Sequence, residues 1–154
     1  VTQTEPVRAQ LVFQLRPQRT ALDARGAAHR VDLQHPVHVL QIEREGGTVD
    51  IKAPDSVAAS PLHQGQKVIL GIRPEAVTDQ DGADRGSKAI ESVQGRVEIV
   101  EPAGSDTFVI TRLGGKEVTA RMRADAIVKP GDTVPFAFNL EKAVLFDPKT
   151  EPRL

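Results

Sequence analysis

Thr107-Phe-Val-Ile-Thr-Arg-Leu113, Gly114-Gly115 and Lys116-Glu-Val-Thr-Ala-Arg-Met-Arg123 follow one another without a break. In the last run Val118, Ala120 and Met122 alternate with Glu117, Thr119, Arg121 and Arg123, the period of a strand with one buried face. The Gly-Gly pair supplies the positive φ angles that a tight turn needs, so a hairpin is predicted over residues 107–123. Downstream, Lys129-Pro-Gly-Asp132 is a turn signal, and Val134, Phe136, Phe138 and Leu140 give the run after it an apolar face. Pro135 lacks an amide donor, which directs that strand to an edge or a bulge.

The same phrase occurs upstream. Val37 to Ile42 is a β-rich run, Gly46-Gly47 a turn, and Thr48-Val-Asp-Ile-Lys52 alternates. A loop with Pro54 and Pro61 then leads to Gly65-Gln-Lys-Val-Ile-Leu-Gly-Ile72. Beyond it, Glu75-Ala-Val77 and Asp79 parallel Glu141-Lys-Ala-Val144 and Asp147, so an internal duplication is inferred. No stretch keeps a helical period for three turns, and the chain reads as all-β. Short strands with Gly turns avoid adhesive edges by closing or stacking, so a barrel of about five to seven strands in two related halves is expected. Residues 79–92 are polar and contain glycine, and read as an exposed linker between halves inside a barrel of residues 37–154. Residues 1–36 read as an N-terminal extension of uncertain structure, with Val12-Phe13-Gln14-Leu15 as one possible added strand.

Composition removes several function classes. In 154 residues, 20 Lys and Arg balance 21 Asp and Glu for a net charge of −1, so there is no field to hold a nucleic acid. Five Phe are the whole aromatic content, too few for base stacking. With no Cys, thiol catalysis and zinc-thiolate sites are excluded and a reducing, cytoplasmic setting is expected. Val1-Thr-Gln-Thr-Glu5-Pro6 lacks the order of a signal peptide, and no apolar run reaches the ~18 residues of a membrane span. Direct membrane insertion is not expected.

Motifs that could carry chemistry fall short. Gly82-Ala-Asp-Arg-Gly86-Ser-Lys88 has its glycines one position too close for a phosphate loop and puts Ser before Lys. His35-Pro-Val-His38 has no third ligand, and no Gly-x-Ser-x-Gly elbow exists. No cofactor, metal site or catalytic residue is therefore expected. Leu70-Gly71-Ile72-Arg73-Pro74-Glu75 is more pointed: Pro74 fixes φ and drives Arg73 into an extended conformation, projecting two charged side chains from a strand end. Arg73, Pro74 and Glu75 are expected to position a domain or subunit junction, against the alternative of a surface ion pair.

That segment, with Gly95-Arg-Val-Glu-Ile-Val-Glu101-Pro102-Ala-Gly104-Ser105, Leu113-Gly-Gly, Pro130-Gly-Asp132 and Ala143-Val-Leu-Phe146-Asp147-Pro148, resembles the C-terminal region of ATP-binding subunits of sugar-importing ABC transporters, the maltose-transporter ATPase class. The resemblance implies an OB-like, MOP-like β-barrel, the transport-associated OB (TOBE) domain. Its motif residues here are Gly71, Arg73, Pro74, Glu75, Glu101, Pro102, Gly104, Phe146 and Asp147. It further implies a non-catalytic regulatory domain that forms a homodimer, is joined to an ATPase domain of the same polypeptide, and meets membrane subunits or a cytoplasmic regulator at the inner membrane. The closing Leu145 to Leu154 resembles the sugar and glycerol-phosphate branch. The P-loop, signature motif and Walker B acid of the family are absent, as is its Phe-x-Gly-Ser-Pro-x-Met-Asn entry run. The alternative implied by related barrels in molybdate transporters is a small oxyanion binder, with Gly104-Ser105 and Gly114-Gly115-Lys116 as candidate donors. Apolar groups on both faces around Phe108, Val109, Ile110 and Leu113 point separately to a spare patch and a homodimer.

Overall fold

The hairpin anticipated at the double glycine is present in the computed structural model, which describes residues 7–16, 37–44, 47–53 and 66–149. Strand β7 (Asp106–Leu113) pairs with β8 (Lys116–Arg123) from Leu113 opposite Lys116 out to Asp106 opposite Arg123. Gly114 and Gly115 have φ of 56° and 71°, the left-handed pair that matches the twist of the strands they join. Val118, Ala120 and Met122 are buried and Glu117, Arg121 and Arg123 exposed, as the alternation requires.

The other strands are β1 (Val7–Arg16), β2 (Val37–Arg44), β3 (Gly47–Lys52), β4 (Lys67–Ile72), β5 (Val77–Thr78), β6 (Ile90–Ala103), β9 (Thr133–Asn139) and β10 (Val144–Phe146). Short 3-10 turns at Pro74–Ala76 and Leu140–Lys142 precede β5 and β10. One sheet runs β10-β4-β1-β2-β3 and the other β5-β9-β6-β7-β8, all antiparallel. The halves have one plan: β4-β1-β2-β3 matches β9-β6-β7-β8 strand for strand. Each half then gives its last strand away, β5 to β9 of the second half and β10 to β4 of the first. The two sheets share one core, with Leu40, Ile42, Ile51 and Leu70 packed with Val109, Met122, Phe136 and Phe138. The result is the all-β, OB-like barrel of two related halves.

Details of the sequence reading change. Residues 7–16 of the N-terminal extension form β1, which contains the possible added strand at Val12–Leu15 and lies between β4 and β2 at the middle of its sheet. The barrel therefore draws on chain before residue 37. Residues 1–6 and 17–36, the His35–His38 region apart from the backbone of β2, the Pro54–Pro61 loop and residues 150–154 lie outside the described residues. Residues 90–92, assigned to a linker, open the 14-residue strand β6, where Glu91 pairs with Phe138. Among the described residues ten strands replace the expected five to seven, in part because the short exchanged strands carry no periodicity of their own. The glycine pairs match one position out of step: Gly47 pairs with Arg44 inside β3, whereas Gly115 lies in its turn. Pro135 sits opposite Gln94 on β9, and the flank of β9 away from β6 there extends past the two-residue β5.

Candidate functional site

Strand β4 ends at Ile72, and Arg73 is extended at φ −84°, ψ 151°, as a residue before proline should be. Pro74 opens the 3-10 turn, in which the Ala76 amide donates to the Arg73 carbonyl at 2.9 Å. Pro74 and Ala76 are buried, so the turn is anchored by its apolar members. Arg73 and Glu75 stand 3.9 Å apart with side chains 76% and 48% exposed. Within this chain they form a loose surface pair of the kind that contributes little to stability.

Gly71 has a different reason to be there. The ring of Phe146 on β10 lies against its backbone, and a Cβ at Gly71 would fall 2.7 Å from Phe146 Cε2 and 3.2 Å from Val144 Cγ2. The incoming strand needs that space. Asp147 follows immediately, its Oδ1 accepting from the Lys149 amide at 2.7 Å to turn the chain after β10. Gly71, Arg73, Pro74, Glu75, Phe146 and Asp147 thus gather around the end of β4 and the β10 that it receives.

Glu101, Pro102 and Gly104 occupy a second place, the exposed outer end of the β6–β7 hairpin, where Gly104 takes φ 74°. Arg121 is bonded at the second place and lies within electrostatic reach of the first. It donates to Asp106 Oδ2 at 2.9 Å, beside the hairpin turn, and it also feels the charge of Glu75. The Asp106 bond is the main reason that the Arg121 guanidinium is held above its ordinary pKa, and the same bond holds the Asp106 carboxyl below its own.

Sequence reasoning missed a forked ion pair. Arg123 Nη2 and Nε reach Asp79 Oδ2 at 2.8 and 3.0 Å, fastening the residue after β5 to the end of β8. Burial pushes the Asp79 carboxyl up, but the Arg123 fork and the Thr78 hydroxyl together bring it below the usual carboxylate range. The segment from 79 to 89 is held further by Ser87 Oγ donating to Asn139 Oδ1 at 2.9 Å and by the Leu140 amide donating to the Ala89 carbonyl at 2.9 Å. Gly82 and Gly86 lie in successive turns of this segment, between the two-residue β5 and strand β6, with no helix after them whose N-terminus could receive a phosphate.

A cleft of about 710 Å³ opens beside the β7–β8 turn, lined by Glu43, Gly95, Arg96, Glu98, Arg112 and Gly115 among others. Glu98 is the extra residue where the β6–β7 register slips between Val97 and Ile99, and it meets Arg112 at 3.5 Å. Such a bulge re-aims a side chain. The cleft is ampholytic, with arginines and glutamates both at its wall. Of the candidate anion donors, Gly115 lines it, while Ser105 Oγ donates to Asp106 at 3.2 Å. Among the described residues no group of three His, Cys, Asp or Glu could hold a metal, and no helix is long and apolar enough to cross a membrane.

A family model described as the TOBE domain matches residues 70–146, from the end of β4 through β10. Curated relatives include the oligosaccharides import ATP-binding protein MsmX of Bacillus subtilis, 30% identical over 90 residues. The sulfoquinovosyl glycerol transport ATP-binding protein SmoE of Agrobacterium fabrum is 40% identical over 88 residues. These alignments take in 58% and 57% of this chain but only 24% and 23% of the relatives, so the chain spans about a quarter of their length. The matched part is the relatives' C-terminal region. Among solved structures, the cytoplasmic molybdate-binding protein ModG aligns at a TM-score of 0.54 and 18% identity, covering 96% of this chain and 100% of that one. That likeness is one of fold.

Proposed function

The chain belongs to the TOBE-domain family, and from that premise we propose that it is the regulatory and dimerisation domain of an ABC importer's ATP-binding subunit, serving a carbohydrate or glycerol-phosphate transporter. The observation that carries this reading is the extent of the family match. It takes in the end of β4, the Arg73-Pro74-Glu75 exit, both exchanged strands, the whole second half and Phe146, so it follows that half's architecture as well as a motif. The printed names of the relatives supply the transporter class: import of oligosaccharides, sulfoquinovosyl glycerol and sn-glycerol-3-phosphate. On this reading the chain works on the cytoplasmic side of the inner membrane, joined to an ATPase domain and facing membrane subunits or a regulator. Arg73 and Glu75, exposed on a turn anchored by buried Pro74 and Ala76, suit contact with such a neighbour. Catalysis belongs elsewhere, since the sequence offers no loop to cradle a nucleotide's phosphates.

The test pairs two measurements. Calorimetric titration of this chain with Mg-ATP should give no binding heat, and sedimentation of the polypeptide that carries it should show a dimer that weakens when this chain is deleted. A micromolar dissociation constant for Mg-ATP, or a dimer indifferent to the deletion, would refute the proposal.

A second reading, a small oxyanion binder, draws on the cleft that brings Arg96 and Arg112 together beside Gly115. Glu43 and Glu98 share its wall and oppose an anion there, which ranks this reading below the first. Titration with molybdate and with sulfate separates the two.

A further inference from the structure

Strands β6, β7 and β8 carry an outward face whose apolar centre is small and whose charges are ordered. Register places Ile99, Ile110 and Thr119 in one row and Glu101, Phe108 and Arg121 in the next. Val109 and Leu113, counted from sequence toward a spare patch, point inward and are buried, which leaves Ile99, Phe108 and Ile110 as the apolar centre. Ile99 is 44% exposed, while Phe108 and Ile110 are half-buried. Asp106 and Arg123 lie beyond the centre toward the hairpin's outer end, and Arg112 and Glu117 lie beyond it toward the Gly114-Gly115 turn. On β7 the outward order is therefore acid, Phe, Ile, base, and on β8 it ends with a base at one side and an acid at the other.

Along β7 that order is self-complementary under one rotation and self-repelling under another. A two-fold axis running across the strands, between the Phe108 and Ile110 rows, turns the second copy's β7 antiparallel to the first. Phe108 then meets Ile110 of the second copy, Asp106 faces Arg112 of the second copy, and Arg123 faces Glu117 of the second copy. A two-fold axis along β7 would instead oppose Asp106 to Asp106 and Arg112 to Arg112, against which it gains only Glu101 facing Arg121 of the second copy. Like charges so placed disfavour that arrangement, whereas the axis across the strands makes two kinds of opposite-charge pair and no like-charge one. We propose that the β6–β7–β8 face is an isologous interface between two copies of this chain, with its axis across the strands and the Asp106–Arg112 pair formed twice across it. This rests on the dimerisation part of the function proposed above and adds the surface, the symmetry and the pairing.

Asp106 and Arg112 already touch Arg121 and Glu98 within the chain at 2.9 and 3.5 Å. A guanidinium has donors to spare and a carboxylate has lone pairs to spare, so the pairs across the axis add to these and need not break them.

The test is sedimentation equilibrium over a range of concentrations for the wild type, Phe108→Asp, Ile99→Asp, Asp106→Lys, Arg112→Glu and the double variant Asp106→Lys/Arg112→Glu. Each chain's unfolding midpoint is taken in parallel, and Ile99→Asp stands in if Phe108→Asp fails to fold. The apolar variant and each single reversal should raise the dimer dissociation constant at least about tenfold, and the double reversal should recover most of that loss, as paired charges do in a cycle. A wild-type dimer indifferent to all of these would overturn the face while leaving dimerisation standing. A double variant no tighter than the single ones would overturn the axis. A wild type that stays monomeric at the highest concentration reached would overturn both this interface and the dimerisation reading on which it rests.

Discussion

Gly71 and Phe146 stand against each other with no room for a side chain between them: a Cβ on the glycine would lie 2.7 Å from Cε2 of the ring. One belongs to the first half of the chain and the other to the last strand of the second. Their contact closes the exchange in which β10 adds to β4, with Val144 opposite Gly71 and Phe146 opposite Ile69. The equivalent place in the other sheet is Ala137, opposite Thr78 of β5. There a methyl group is accommodated.

Replacement of Gly71 should therefore loosen β10 before it loosens the barrel. Gly71→Ala meets the ring edge, which can tilt, and should cost about 1 kcal/mol; Gly71→Val also meets Val144 and should cost about 2–3 kcal/mol, the range of overpacking in a filled core. Denaturant unfolding gives the magnitude, and amide exchange should rise first in β10. A Gly71→Val variant with an unchanged midpoint would show that the close approach is immaterial.

Arg73→Ala should change the stability of this chain by less than about 0.5 kcal/mol, the ordinary range for an exposed position, because its partner Glu75 is 3.9 Å away and both side chains face solvent. In a polypeptide that joins this chain to an ATPase domain, as proposed above, a junction role would emerge as a larger loss in assembly. A drop of about 2 kcal/mol or more in the isolated chain would mean that Arg73 already holds a buried acceptor here.

The Asp79–Arg123 clasp predicts the direction of acid sensitivity. Burial raises the Asp79 carboxyl, the Arg123 and Thr78 bonds lower it by more, and the folded value ends below the ordinary 3.8. A group depressed in the folded state contributes stability that is present above its unfolded pKa and is lost as pH falls through the folded one. Stability should thus decline on acidification below about pH 4–5, and Asp79→Asn should be less stable at neutral pH with a flatter acid limb. Parallel acid limbs for the two proteins would remove Asp79 from the account.

What could be read from sequence was local, and what could not was either long-range or masked by polarity. The β7–β8 hairpin was legible because Val118, Ala120 and Met122 alternate right up to a double glycine. Strand β6 begins among Glu91, Ser92 and Gln94, and its inward Gly95 breaks the apolar rhythm, though a Cβ there would fall 2.8 Å from Thr111 Oγ1 and 2.9 Å from Phe136 Cε2. The duplication was visible in the glycines, but nothing in a two-residue β5 or a three-residue β10 says which sheet it joins. Asp79 and Arg123 are 44 positions apart, and a lone Asp in a polar stretch carries no sign of its partner. In the Leu70–Glu75 motif the charges are the conspicuous feature of the sequence, whereas in the fold its glycine makes the close contact, 2.7 Å from the Phe146 ring to a Cβ placed there, and its Arg73–Glu75 pair is loose at 3.9 Å.

Thr111 offers the sharpest test of the strand junction beneath the cleft. It is fully buried, opposite Val97 on β6, and its hydroxyl donates to the Arg96 carbonyl at 2.7 Å. That bond lies where the register slips between Val97 and Ile99, a stretch in which the ladder cannot satisfy every backbone group. Val97 there turns its amide to the Asp132 carbonyl at 2.8 Å and accepts from the Gly131 amide at 2.7 Å, so the β6 backbone is tied to the turn before β9. Thr111→Val keeps the volume and removes the donor, which should cost about 1–2 kcal/mol if the carbonyl is left without its partner. Thr111→Ser keeps the donor and removes a methyl group, for a loss nearer 1 kcal/mol from the small void. Packing alone would reverse that order, since valine fills the site and serine does not. Denaturant midpoints for the two variants decide the matter: a Thr111→Val protein as stable as wild type would mean that the slip in β6 is held by the Asp132 and Gly131 bonds without the threonine.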